Sequence, residues 1–175
     1  MKRALAVIIV AVMTSNCGYA LAGRGSSLPD YIRVIGVPLF KNATPAFDID
    51  RIITERVRTE LIGRGKYRVE PDANGVDALV EATILSVILS PLTYDANRQA
   101  SRYNITITAS VTFRDLKTGK EIWANPALSF RDEYPITNAA SAADVAAFVG
   151  NESNAVTRLA TDFARTVVSA MLEAF

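Results

Sequence analysis

The strongest periodicity in the chain is two. Tyr103, Ile105, Ile107, Ala109, Val111 and Phe113 alternate with Asn104, Thr106, Thr108, Ser110 and Thr112. That alternation predicts a strand with one core face and one polar face. Ahead of it, residues 79–89 read as a long apolar strand closed by Pro91. Behind it, the polar, glycine-containing run 114–120 reads as a hairpin loop returning into Glu121-Ile122-Trp123 and, beyond Pro126, into Leu128-Ser129-Phe130-Arg131. Two shorter strands are predicted upstream. One is the β-branched run 31–40, ended by Pro38 and the turn-like 41–45; the other is 67–70.

Two segments switch to helical spacing. Asp48 stands as an N-cap, and Ile49, Ile52, Ile53, Val57 and Leu61 then recur every three to four residues. Arg51, Glu55, Arg58 and Thr59 fall on the other faces and read as solvated. Glu60 and Arg64 are spaced for an i,i+4 pair, with Gly63 and Gly65 at the stop. Near the end, Val156, Leu159, Ala160, Phe163, Val167, Ala170, Met171 and Ala174 trace a second stripe, with a weak start signal at 141–144 and Gly150 as a break. Each helix has one apolar side, and the best strand has one apolar face. The expected fold is therefore α+β: two amphipathic helices packed on one face of a mixed, mostly antiparallel sheet of about four strands.

The first residues belong to a different regime. Met1-Lys2-Arg3 precedes the ten-residue apolar run 4–13, which is too short to cross the roughly 30 Å bilayer core and reads as a secretion signal over 1–16. The only cysteine, Cys17, follows at once. In an exported chain an unpaired cysteine calls for an explanation, and acylation as the new N-terminus supplies one. Acyl chains contribute about 0.8 kcal/mol per buried methylene, enough in combination to hold a domain on a bilayer. Residues 17–30, with Gly23, Gly25, Ser26, Ser27 and Pro29, then form the lipidated end and a flexible tether. A single domain is expected over 31–175.

Composition narrows the chemistry. The chain has 175 residues and no histidine, which removes Ser-His-Asp and Cys-His catalysis and His-containing zinc sites. No nucleophile elbow, phosphate loop or dinucleotide fingerprint is present. No cofactor and no metal site are expected. Without Lys2 and Arg3 the mature chain carries 17 basic and 18 acidic residues, so no field suited to nucleic acid is built. Carboxylates such as Asp115, or Asp132 with Glu133, leave a hydrolase as one alternative. The run 91–102, with Arg98 and Arg102 and no acid after Asp95, reads as a loop suited either to an anionic ligand or to plain solvent.

Taken in order, several short motifs resemble a known family. They are Cys17-Gly18-Tyr19-x-Leu21, Ile35-x-Val37-x-x-Phe40-x-Asn42-x-Thr44, Glu60-Leu61-x-x-Arg64-Gly65, Asp77-Ala78-Leu79-Val80, Arg102-Tyr103, and Thr118-Gly119-Lys120-x-Ile122-Trp123 before the final helix. Together they resemble the LPS-assembly lipoprotein family LptE. The resemblance implies a non-enzymatic outer-membrane lipoprotein, anchored on the periplasmic side through acyl chains on Cys17. It implies a partner, the LptD β-barrel, which the protein plugs and helps assemble, and contact with lipopolysaccharide through basic residues near the sheet end. Here those are Arg98 and Arg102, with Arg131 in the segment after the last strand. A lipoprotein activator of a peptidoglycan synthase is the competing reading, disfavoured by the short tether.

Overall fold

The computed structural model describes residues 28–94, 100–135 and 153–174. The elements run β1 (Val34–Gly36), β2 (Lys41–Asn42), α1 (Ile49–Gly63), β3 (Arg68–Glu70), β4 (Ala78–Tyr94), β5 (Ala100–Asp115), β6 (Glu121–Pro135) and α2 (Ser153–Leu172). The class is α+β as expected, but the sheet has six strands where the sequence suggested about four. Its order is β3-β1-β4-β5-β6, with β2 added on β4. The difference lies in the short elements. Lys41–Asn42 looks like part of a turn, yet it pairs in parallel with Thr83 and Ile84. Two residues carry no periodicity, so only the neighbouring strand makes them β.

Long antiparallel ladders join β4 to β5 and β5 to β6, while β1 pairs in parallel with β3 and β4. Strand β4 is longer than expected, because it runs through Pro91 and its register shifts there, between Pro91 and Thr93. The missing amide of Pro91 is thus absorbed at an irregularity. A second shift, between Ile84 and Ser86, inserts Leu85 and changes the parity of β4. Ala78, Val80, Ala82 and Ile84 face the core before it, and Val87 and Leu89 pack there after it. In β6 the segment around Pro126 is likewise a register shift inside one strand, and Asn125 Oδ1 accepts from the Ala127 amide at 3.0 Å.

Strand β5 keeps strict alternation. Ile105, Ile107, Ala109, Val111 and Phe113 are all buried. The helices cover this face. From α1 come Ile49, Ile53, Val57 and Leu61; from α2 come Val156, Leu159, Ala160, Phe163, Val167 and Met171. Phe163 meets Phe130 of β6 with ring centroids 5.1 Å apart. Trp123 is half-buried against the same core. The start signal at 141–144 and Gly150 lie outside the described residues.

The edge-to-helix junction explains the motif from Ile35 to Thr44. After β1 the chain leaves the sheet, so its backbone needs other partners. Buried Thr54 accepts the Phe40 amide at 3.1 Å, and Arg58 donates Nε and Nη2 to the Val37 carbonyl at 2.9 and 2.7 Å. Asn42 closes the next turn by accepting from Thr44 and donating to the Ala46 carbonyl. Arg58 is therefore a half-buried structural group and not part of a solvated face. Arg64 makes the expected pair with Glu60 at 3.0 Å and also reaches Ser169 of α2 at 2.7 Å. Asp48 does precede α1, but with φ 65° and its carboxylate bound to Arg51 it makes no side-chain cap. Gly36 has no room for a side chain, since a Cβ there would lie 2.6 Å from the Asp72 carbonyl oxygen.

Candidate functional site

The β4-β5-β6 ribbon has two ends of different character. At about 3.3 Å per residue, the 17 residues of β4 extend about 55 Å, against about 30 Å for the 20 residues of α2. The face of the ribbon away from the helices, left uncovered by every element of the described residues, is a hydroxyl ladder. Thr83 pairs with Ser110, Ser86 with Thr108, and Thr108 with Ser129, whose hydroxyls lie 2.9 Å apart.

Toward the β4-β5 connection the same face gains charge. Arg102 stands opposite Thr93 and Asn104 opposite Ser90 and Glu133, while Thr106 faces Ile88 and Arg131. Arg102 and Arg131 thus share one face, four residues apart in register. Arg102 lies 3.9 Å from Glu133, with both side chains well exposed. Asn104 Oδ1 is buried and has no hydrogen-bond partner among the described residues. On the opposite face of β6, Asp132 receives Arg158 of α2 through Nε and Nη2 at 3.2 and 3.1 Å. The arrangement offers planar guanidinium donors beside a row of hydroxyls, a surface able to hold an anionic, hydroxyl-bearing head group.

Of the residues singled out from sequence, Arg102 and Arg131 fall on one sheet face, four residues apart in register, and they sit on strands and not in loops. The long flanking strands extend to Tyr94, Ala100 and Pro135 and absorb positions that looked like loop because of Pro91 and their polarity. Cys17 and Arg98 lie outside the described residues. Arg158 and Asn104 gave no signal, because a lone arginine on a helix's polar face and an asparagine in a strand carry none. The carboxylates do not converge: Asp132 and Glu133 take opposite faces of β6 and different arginines. Among the described residues no three metal-ligating side chains cluster.

The other end of the ribbon is where the N-terminal segment enters. Leu28 and Ile32 are buried in the core. Tyr31 donates its hydroxyl to Asp115 Oδ2, and Lys117 Nζ sits 4.7 Å from the Tyr31 ring centroid. Asp115 also accepts the Lys117 and Thr118 amides at 2.8 and 3.2 Å and the Thr118 hydroxyl at 2.7 Å. Burial opposes ionisation of Asp115, but these donors outweigh it and hold the carboxyl at about 2. The bond to Asp115, then burial, raises the Tyr31 phenol. Asp77, bound by the Arg33 and Val34 amides at 2.9 and 2.8 Å, is lowered by those two bonds.

A family model described as LptE, lipopolysaccharide-assembly, matches residues 32–171. No curated protein matches the sequence. Among solved structures, the rare lipoprotein B from Shewanella oneidensis is similar at 16% identity and TM-score 0.46, over 79% of this chain and 93% of that one. An uncharacterized lipoprotein B from Nitrosomonas europaea is similar at 15% identity and TM-score 0.49, over 89% and 95%. Protein XCC0632 from Xanthomonas campestris is similar at 14% identity and TM-score 0.49, over 85% and 88%.

Proposed function

Because the chain belongs to the LptE lipopolysaccharide-assembly family, we propose that it is an outer-membrane lipoprotein that plugs and helps assemble an LptD-type β-barrel. It is anchored on the periplasmic side through Cys17, and it meets lipopolysaccharide with its arginine-bearing end. It has no catalytic turnover. The observation that carries this reading is the uncovered sheet face, a hydroxyl ladder ending in Arg102 and Arg131. A barrel lumen is polar, so a plug should present hydroxyls and amides to it and keep its apolar side chains for its own core. Guanidinium groups at the end of that face suit the phosphates of a lipid A head group, to which Arg98 would add a third donor set.

Affinity purification from detergent extract tests the partner, and mass spectrometry of the mature N-terminus tests the anchor. The expected result is an acylated Cys17 and a co-purifying large β-barrel. Equal recovery of folded barrel from cells lacking this protein would overturn the assembly role. Arg98→Glu with Arg102→Glu should weaken lipopolysaccharide retention while the barrel complex persists; unchanged retention would remove these residues from the site.

A further inference from the structure

Apart from the outer side of the two-residue β2, three backbone edges of the sheet are free among the described residues, and two of them carry the usual protection against strand pairing. Strand β3 is three residues long and bears the Arg68–Glu70 ion pair. The outer edge of β6 is broken at Pro126 by its register shift, carries Arg131 and Glu133, and turns Asp132 inward onto Arg158. The third edge belongs to β4. Its side away from β5 pairs with β1 at Ala78 and Leu79 and with β2 at Thr83 and Ile84. Beyond Ile84 no strand of the described residues continues that pairing.

This edge is unprotected in composition. Residues 85–94 include no Asp, Glu, Lys or Arg, and Leu85 and Ile88 are 44% and 52% exposed. Pro91 has no amide to offer, so the usable row is residues 85–90, six positions, a typical strand length. Its two faces differ: Val87 and Leu89 pack on the core, while Ser86 and Ser90 lie with Ile88 on the hydroxyl-ladder side. An occupant must therefore be extended, uncharged, and apolar at every second position. That is the chemistry of a transmembrane barrel strand, and such a strand has a free edge only before the barrel closes.

We propose that residues 85–90 of β4 form a strand-addition site that takes an uncharged, alternating segment of the barrel polypeptide during its assembly. The proposal rests on the barrel-plug reading and gives it a mechanism: the plug lends an open barrel strand a temporary backbone partner. The test places a photo-crosslinking amino acid at Ile88 in the full chain in cells, with a second chain labelled at Thr112 as control, and purifies the complex. An adduct with the barrel polypeptide from Ile88, mapped to an alternating segment, is expected, together with its loss in an Ile88-labelled chain carrying Ser90→Lys. Circular dichroism checks that this variant folds. An adduct with a second copy of this chain, with lipopolysaccharide alone, or no adduct while the barrel co-purifies, would overturn the edge site and leave the plug reading standing. Failure of the barrel to co-purify would overturn both.

Discussion

Tyr31 and Asp115, 84 positions apart in the sequence, are joined by a hydrogen bond from phenol to carboxylate. The bond fastens the segment leading into β1 to the turn between β5 and β6. It fixes the point where the N-terminal segment from Leu28 enters at one end of the ribbon, while Arg102 and Arg131 occupy the region toward the other end. A bond so distant in sequence adds nothing until the sheet has formed, so it reports on the complete fold.

Replacing Asp115 should therefore unfold the junction from both sides. Asp115→Ala removes a buried carboxylate and leaves the Lys117 and Thr118 amides of the exposed turn without their charged acceptor. A loss of about 1–3 kcal/mol is expected from urea denaturation. Tyr31→Phe, which leaves the two turn amides satisfied, should cost less than Asp115→Ala.

The same carboxylate sets an acid limit. Its folded value, about 2, lies below the ordinary aspartate value of about 3.9, so the folded state binds the proton less readily than the unfolded one. Its contribution is complete above about pH 4 and is lost as pH falls toward 2. Asp77, lowered by the Arg33 and Val34 amides, adds in the same direction. Urea midpoints of the wild type should be flat near neutrality and fall in acid, and Asp115→Asn should flatten that fall.

Gly36 is a steric test of the end of β1, between β3 and β4. With the Asp72 carbonyl oxygen 2.6 Å from the place of a Cβ, Gly36→Ala forces the backbone apart, at a cost of about 1–3 kcal/mol. Gly63→Ala, where a Cβ meets nothing within 4 Å, is the control and should not destabilise. Thermal unfolding compares the two.

Glu133 partly neutralises Arg102 across 3.9 Å. Exposed pairs of this kind are worth roughly 0.2–1 kcal/mol, so Glu133→Gln should tighten binding of a phosphorylated lipid A head group by about 1.5- to 5-fold. Arg131→Glu should weaken it, and both effects should shrink as salt is raised. Equilibrium binding across ionic strength reads both.

The alternation of residues 103–113 sufficed to define β5, its buried face and its polar face, because a period of two with no interruption has a single solution. The stripes of α1 and α2, the Glu60–Arg64 pair and the hairpin at 114–120 were legible for similar local reasons. Strand β4 was only half legible. The inserted Leu85 changes its parity, and Pro91 looks like a stop unless a neighbouring strand absorbs it.

What the chain determines by itself is thus whatever depends on neighbours within about a turn or a strand: element type and apolar face. Tertiary structure decided the rest. Only sheet assembly makes Lys41–Asn42 a strand, joins Arg58 to the Val37 carbonyl, sets Arg102 and Arg131 on one face and, among the described residues, leaves β4 open beyond Ile84. Those outcomes depend on backbone groups and charges far apart in sequence meeting in space, and no local pattern encodes where a strand's partner ends.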